Sequence, residues 1–216
     1  MDALIKFEKS ETPDMNFLAH LLLSFESEDV IVGQFIADEI KGTKYEFYKP
    51  EIRNGILLHR FIDHFTDTHY RCLELRAKLR GDLGLYTPVA MDIFFDHALS
   101  IHWKNYCNKP LEVFIAENYA ILDKNKAQLS DRMKFILEIM IRKDWLSRYK
   151  SIEGIELTLN EMSNRLKMPN SLKLATQTLI NQSETIMSTF NSFFPILIDE
   201  SKTKFNTFAT NLSENG

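Results

Sequence analysis

A helix that has to be buried and yet carries a row of ionisable side chains has few ways to fold, and this chain contains two such segments. The first reads Gly55-Ile-Leu-Leu-His59-Arg60-Phe-Ile-Asp63-His64-Phe-Thr-Asp67-Thr-His69. Each helical residue advances by about 100°, so His59, Asp63 and Asp67, spaced by four, form one slowly drifting row. Ile56, Phe61, Ile62 and Phe65 would anchor the same helix to a core. Burying unpaired polar groups costs roughly 1–3 kcal/mol each, and more for a charge, so something has to satisfy that row.

The second segment, Asp92-Ile-Phe-Phe-Asp96-His97-Ala-Leu-Ser-Ile-His102-Trp103, repeats the pattern. Asp92 and Asp96 share one face, Ile93 and His97 an adjacent one, and Phe94, Phe95, Ala98, Leu99 and Trp103 supply the apolar remainder. Histidines and carboxylates without thiolates suit a divalent ion such as Mn²⁺, Mg²⁺, Fe²⁺ or Zn²⁺. Two helices giving residues at three- or four-residue spacing are a common way to hold one. A bound divalent ion lowers the pKa of water from about 16 to about 7 and polarises a phosphoryl oxygen, which makes phosphate-ester hydrolysis the leading chemistry. Arg60, beside His59, reads either as a contact to a phosphate oxygen or as a salt bridge to Asp63 or Asp67.

With 7 Gly and 6 Pro in 216 residues the chain is too poor in turn formers for an all-β protein. We read an all-α, single-domain helical bundle over residues 15–212, preceded by a charged tail over 1–14. No apolar run reaches the roughly 18–20 residues of a membrane span, and none has the flanks of a signal peptide. Cys72 and Cys107 lack metal-type spacing, so a cytoplasmic protein with reduced thiols and neither membrane nor nucleic-acid partner is expected.

In order, residues 16–23 form an apolar first helix with His20 as its single ionisable group, which by itself reads as a hydrogen-bonded core histidine. The segment Val30 to Glu39 follows, where Gly33 allows close approach of a backbone and Asp38 either faces inward or is an ordinary exposed charge. A third helix should start near Pro50 and run through His59 as far as Arg80, ahead of a turn at Gly81 to Gly84. Thr87-Pro88 opens the Asp92 helix. Helical spacing continues over 111–122, 131–149, 152–166 and 171–193, with Ser130 and Asn170 or Ser171 as caps. Pro195 should break or kink the last helix, and 212–216 should fray. Tyr119, Trp145 and Tyr149 either line a channel or pack the core, and for aromatics at helical spacing the core is the expectation.

The Asp96-His97 pair resembles, in reversed order, the His-Asp dyad of the HD superfamily of metal-dependent phosphohydrolases. A longer pattern is more specific. Met15-Asn-Phe-Leu-Ala-His20, Gly33-x-Phe-Ile-Ala-Asp38, Gly55-Ile-x-Leu-His59-Arg60-x-Ile-Asp63-x-Phe-Thr-Asp67, Asp92-Ile-Phe-Phe-Asp96-His97-x-Leu-Ser-x-His102-Trp103, Trp145-Leu-x-x-Tyr149, Gly154-Ile155 and Met162-Ser163-x-Arg165 resemble, in order, the acyl carrier protein phosphodiesterase family.

The resemblance implies an HD-like helical hydrolase that depends on a divalent metal, most naturally Mn²⁺, and removes 4'-phosphopantetheine from a serine of holo-acyl carrier protein. It implies His59, Asp63, Asp96 and His97 as metal ligands, with Asp38 a further ligand or the group that orients the attacking water. His20 would protonate the leaving serine oxygen or ligate, and Arg60 would contact phosphate. Asp67, His69, Asp92 and His102 would hold the ligands in place, whereas His64 reads as solvated.

Acyl carrier proteins are acidic, so a docking enzyme should present a basic surface. Residues 41–80 hold nine Lys or Arg against five acids, a net of +4 in a chain whose total is −4. Lys41, Lys44, Arg53, Arg71, Arg76, Lys78 and Arg80 are the docking candidates. Two other readings remain open: a phosphohydrolase acting on another phosphodiester or a nucleotide, and a non-catalytic helical module that binds an acidic protein. A haem-binding bundle is weaker, because acids crowd His59 and His97.

Overall fold

The computed structural model describes residues 17–166 and 170–214, so the expectation of a tail over 1–14 lies outside the described residues. Ten α-helices account for most of the described chain: α1 Phe17–Leu22, α2 Glu28–Ile36, α3 Pro50–Thr68, α4 Tyr70–Leu83, α5 Thr87–Ile101, α6 Leu111–Lys124, α7 Asp131–Arg142, α8 Ile152–Arg165, α9 Leu172–Asn181 and α10 Ser183–Glu214. The bundle is all-α, and no strand occurs among the described residues. Nor is any described helix long and apolar enough to cross a membrane.

The tightest packing is between α2 and α3. A Cβ built on Gly33 would stand 2.2 Å from the Ile52 carbonyl oxygen, and one on Gly55 would stand 2.5 Å from that of Val30. Only glycine at both positions lets the two backbones meet. Ile52, Ile56, Leu58 and Ile62 of α3 are buried along the same helix. The long α10 lies against α3, α4 and α5 and buries Phe190, Phe193, Phe194 and Leu197. Tyr119, Trp145 and Tyr149 are buried in the core, and the Tyr119 hydroxyl accepts a hydrogen bond from the Leu146 amide at 3.1 Å.

Four boundaries differ from the expectation. The helix expected from Pro50 to Arg80 breaks at His69, whose backbone is extended and whose Nδ1 accepts from the Arg71 amide at 3.4 Å, so that the ring caps α4. Pro195 neither ends nor interrupts α10. Its neighbours Phe193, Phe194 and Leu197 are buried, and that packing outweighs one missing amide donor. The expected helix over 131–149 stops at Arg142; Asp144 takes a left-handed φ of 44°, and a 3-10 turn over Leu146–Lys150 carries Leu146 and Tyr149 into the core. The helix expected over 171–193 is divided at Gln182 into α9 and α10. Ser130 caps α7 by accepting from the Met133 amide at 3.1 Å, while Asn170 rather than Ser171 accepts from the amide of Leu172, at 3.2 Å.

Candidate metal centre

Because α2 and α3 touch at Gly33 and Gly55, the residues one turn further along each helix are also brought together. Asp38 sits in the 3-10 turn Ala37–Glu39 that ends α2, and its Oδ1 is 3.1 Å from His59 Nε2 on α3. Asp63, one turn on from His59, places Oδ2 3.2 Å from the same nitrogen. Its other oxygen, Oδ1, lies 3.2 Å from Nε2 of His20, which α1 supplies. The two imidazoles are stacked, with centroids 3.9 Å apart and planes 16° from parallel. His20, His59 and Asp63 thus form a group whose ligand atoms all lie within 4.8 Å of one another.

Gln34 approaches the far side of the His20 ring, with Oε1 2.9 Å from Nδ1, while Nε2 faces the Asp63 carboxylate. A buried imidazole nitrogen facing an anion needs a proton or a cation between them. His59 is in the same position twice over, with one Nε2 facing two carboxylates. Burial works against a charged His59, but Asp63 and Asp38 outweigh it and raise its pKa to about 10. Burial likewise favours a neutral Asp63, yet His59 and His20 hold it well below the usual carboxylate range. His20 and His59 are buried, whereas Asp63 is 41% exposed and Asp38 22%, so the cluster opens to solvent on the carboxylate side. Two imidazoles and two carboxylates, with Asp38 Oδ2 and His20 Nε2 left without hydrogen-bond partners, fit a divalent transition-type ion.

The structure thus brings together His20, Asp38, His59 and Asp63, and distributes the other candidates elsewhere. Asp96, expected as a ligand, instead accepts from the amides of Leu18 at 3.0 Å and Ala19 at 2.9 Å with its two oxygens. It is fully buried, and burial pushes its pKa up to about 8 against the pull of those amides. His97, the other expected ligand, donates through Nδ1 to the Tyr149 carbonyl at 2.6 Å and is held below its ordinary pKa by burial. The Asp96 and His97 side chains are engaged by α1 and by the 146–150 turn, although Asp96 also borders, with His20, a small cavity lined by Ile62 and Thr66 of α3.

Arg60 pairs with neither Asp63 nor Asp67 among the described contacts. Its guanidinium donates to the carbonyls of Ile40 at 2.5 Å and Gly42 at 2.8 Å and lies over the Tyr45 ring, pinning the segment that follows Asp38. Asp67 pairs with Arg76 on the surface. His69 caps α4 and packs on Phe65 and Phe193. Asp92 is half-buried and lines, with Asp96 and His20, a small cavity closed by α10. His102 lines a cavity of about 800 Å³ with Trp103 and Lys104, none of whose lining residues belongs to the cluster. His64 is exposed. Of the docking candidates, Lys41, Lys44, Lys78 and Arg80 are exposed, Arg53 and Arg71 half-buried, and Arg76 is paired. Gln34 escaped the sequence reading; its signal was one polar residue in the apolar run Val30 to Ile36, four positions before Asp38.

The family model described as acyl carrier protein phosphodiesterase matches residues 15–197. The chain belongs to this family. Among its relatives, the acyl carrier protein phosphodiesterases of Salmonella paratyphi A and Salmonella dublin are 28% and 29% identical to it. The one from Enterobacter sp. (strain 638) is 28% identical. Each alignment spans 191 residues, 88% of this chain and 99% of the relative. No solved structure matches the chain. Membership in the family agrees with the resemblance carried by the motifs from Met15 to Arg165.

Proposed function

We propose that this chain hydrolyses the phosphodiester joining 4'-phosphopantetheine to a serine of holo-acyl carrier protein, releasing the apo carrier, and that it does so in the cytoplasm with a divalent ion, Mn²⁺ first among candidates. The observation that supports the metal reading is the convergence of His20 Nε2, His59 Nε2 and the Asp63 carboxylate within 4.8 Å, with the buried His20 Nε2 left without a hydrogen-bond partner. His20, Asp38, His59 and Asp63 would hold the ion. When bound, such an ion supplies a water activated near neutral pH and a Lewis acid for the phosphoryl oxygen.

The chain's own residues do the rest. Gln34, 2.9 Å from Nδ1, would orient the His20 ring with Nε2 toward the ion, and Asp63 spans both imidazoles. Arg60 holds the Ile40 and Gly42 carbonyls, which keeps Asp38 against His59 without a tether of its own. The Asp63 carboxylate, 41% exposed, sets the open side, where a phosphodiester has to enter.

Mass spectrometry of holo-acyl carrier protein incubated with the protein and Mn²⁺, beside His59→Ala and Asp38→Ala variants, tests this reading. The expected result is metal-dependent loss of the phosphopantetheine group, absent in both folded variants. Cleavage of a general phosphodiester with the carrier mass unchanged would keep the metal chemistry and overturn the substrate. Neither activity, with metal bound, would favour the non-catalytic module.

A further inference from the structure

Cleaving at the serine has a geometric consequence. The scissile bond adjoins the carrier's own backbone, not the far end of the pantetheine arm, so the carrier's surface must come within about a side chain's length of the metal cluster. The docking surface therefore has to border the open side of that cluster. Of the segments there, the one after Asp38 is built as a platform. Arg60 clamps its Ile40 and Gly42 carbonyls, Gly42 turns it with a φ of 60°, and Tyr45 lies under the guanidinium at 5.1 Å.

That platform presents an unusual tip. Phe47, in the 3-10 turn Lys44–Phe47, is 90% exposed, the most exposed large apolar side chain among the described residues. Lys41 and Lys44 are exposed beside it in the sequence, with Glu46 the one acid between Ile40 and Pro50. An apolar knob between cations, on a rigid loop, fits a partner with a small apolar depression ringed by carboxylates.

We infer that the loop Ile40 to Tyr48, with Phe47 as its anchor and Lys41 and Lys44 as its charges, is the surface on which the acidic carrier protein docks. This inference rests on the proposed substrate and narrows the basic segment 41–80 to its first part. On α4, Arg76 pairs with Asp67, Arg71 lies over the Tyr70 ring at 5.0 Å, and the exposed Lys78 and Arg80 have no exposed large apolar side chain within four residues.

The test is steady-state hydrolysis of holo-acyl carrier protein by the parent, Phe47→Ala, the pair Lys41→Glu with Lys44→Glu, and Leu85→Ala. Leu85, 84% exposed between α4 and α5, is the control for loss of an exposed apolar side chain. Phe47→Ala should raise KM about 10- to 100-fold, the worth of one buried phenyl, with kcat nearly unchanged. The charge reversal should raise KM and flatten its dependence on salt. Leu85→Ala should match the parent. KM values for the Phe47 and lysine variants equal to the parent's, or an equal rise for Leu85→Ala, would overturn the docking surface and leave the proposed reaction standing. A parent that does not turn over holo-acyl carrier protein would remove the substrate reading and this inference with it.

Discussion

Gly33 and Gly55 face each other where α2 crosses α3, so closely that a Cβ on Gly33 would lie 2.7 Å from the Gly55 Cα. This contact is the foundation of the metal centre, because Asp38 and His59 each follow their glycine by about one helical turn. Gly33→Ala would collide with the Ile52 carbonyl at 2.2 Å, and backbone cannot swing aside as a side chain can. The expected outcome is a destabilisation of about 1–3 kcal/mol, typical of overpacking, together with weaker metal binding as Asp38 moves from His59. Chemical denaturation and metal titration of the same variant would check both. Loss of stability with unchanged metal affinity would show that the centre tolerates a wider helix crossing.

The Gln34 amide is the hydrogen-bond partner of His20 Nδ1 among the described residues, which leaves Nε2 facing the cluster. Gln34→Leu removes that partner and leaves a buried ring nitrogen without one. Metal affinity should fall about 10- to 100-fold, as for other groups that orient ligand histidines. Gln34→Glu, which still accepts from Nδ1–H, should restore most of it. Calorimetric titration gives the affinities, and nitrogen-15 NMR of the His20 ring reports the tautomer directly. An unchanged tautomer in Gln34→Leu would remove this residue's assigned role.

The paired charges of the cluster give metal-free protein a definite pH response. His59 has its folded pKa raised, from about 6.5 in an unfolded chain to about 10. The stability it contributes is therefore fully present below pH 6.5 and is lost as pH rises toward 10. Asp63 is shifted the other way, so its contribution is present above its unfolded pKa near 3.8 and is lost only in strong acid. Metal-free protein should thus lose stability across the alkaline range, and His59→Gln should flatten that slope. Metal affinity should run oppositely, rising with pH, because the ion displaces the proton on His59. Thermal denaturation from pH 5 to 10, with and without Mn²⁺, separates the two trends.

Much of this was readable in the sequence, and the limit lies in what helix periodicity can carry. His59 and Asp63 are four residues apart on one helix, so local geometry alone aligns them, and their family motif names them. Gly33 could be read as a site of close approach because nothing else explains a glycine in Val30 to Ile36. Asp92 and Asp96 repeat the four-residue spacing of His59 and Asp63, and His97 follows them, but spacing along α5 does not say which neighbour each face meets. The partners that decide it, the Leu18 and Ala19 amides and the Tyr149 carbonyl, are 78, 77 and 52 residues away. The contacts of Arg60 were not legible for a related reason: its acceptors are backbone carbonyls of a loop, which carry no sequence signal. Pro195 shows the opposite case, a strong local signal overridden by the packing of Phe193, Phe194 and Leu197.

Asp63 on α3 and Asp96 on α5 have similar neighbours in sequence, yet their surroundings assign them different work, and substitution separates them. Asp63 faces two imidazole nitrogens at 3.2 Å and half of its reach is open to solvent, so Asp63→Asn should reduce metal affinity by more than about 100-fold while the fold persists. Asp96 is buried and ties α5 to the start of α1 through two amides, so its removal acts on α1 and only through it on His20. Asp96→Ala should cost about 1–3 kcal/mol of stability from amides left unpaired. Asp96→Asn, which keeps one acceptor oxygen, should recover part of that and bind metal nearly as the parent does. Metal titration of Asp63→Asn and Asp96→Asn in parallel gives the decision. Equal loss in both would return Asp96 to the ligand set, and a large loss in Asp63→Asn alone would leave His20, Asp38, His59 and Asp63 as the group that holds the ion.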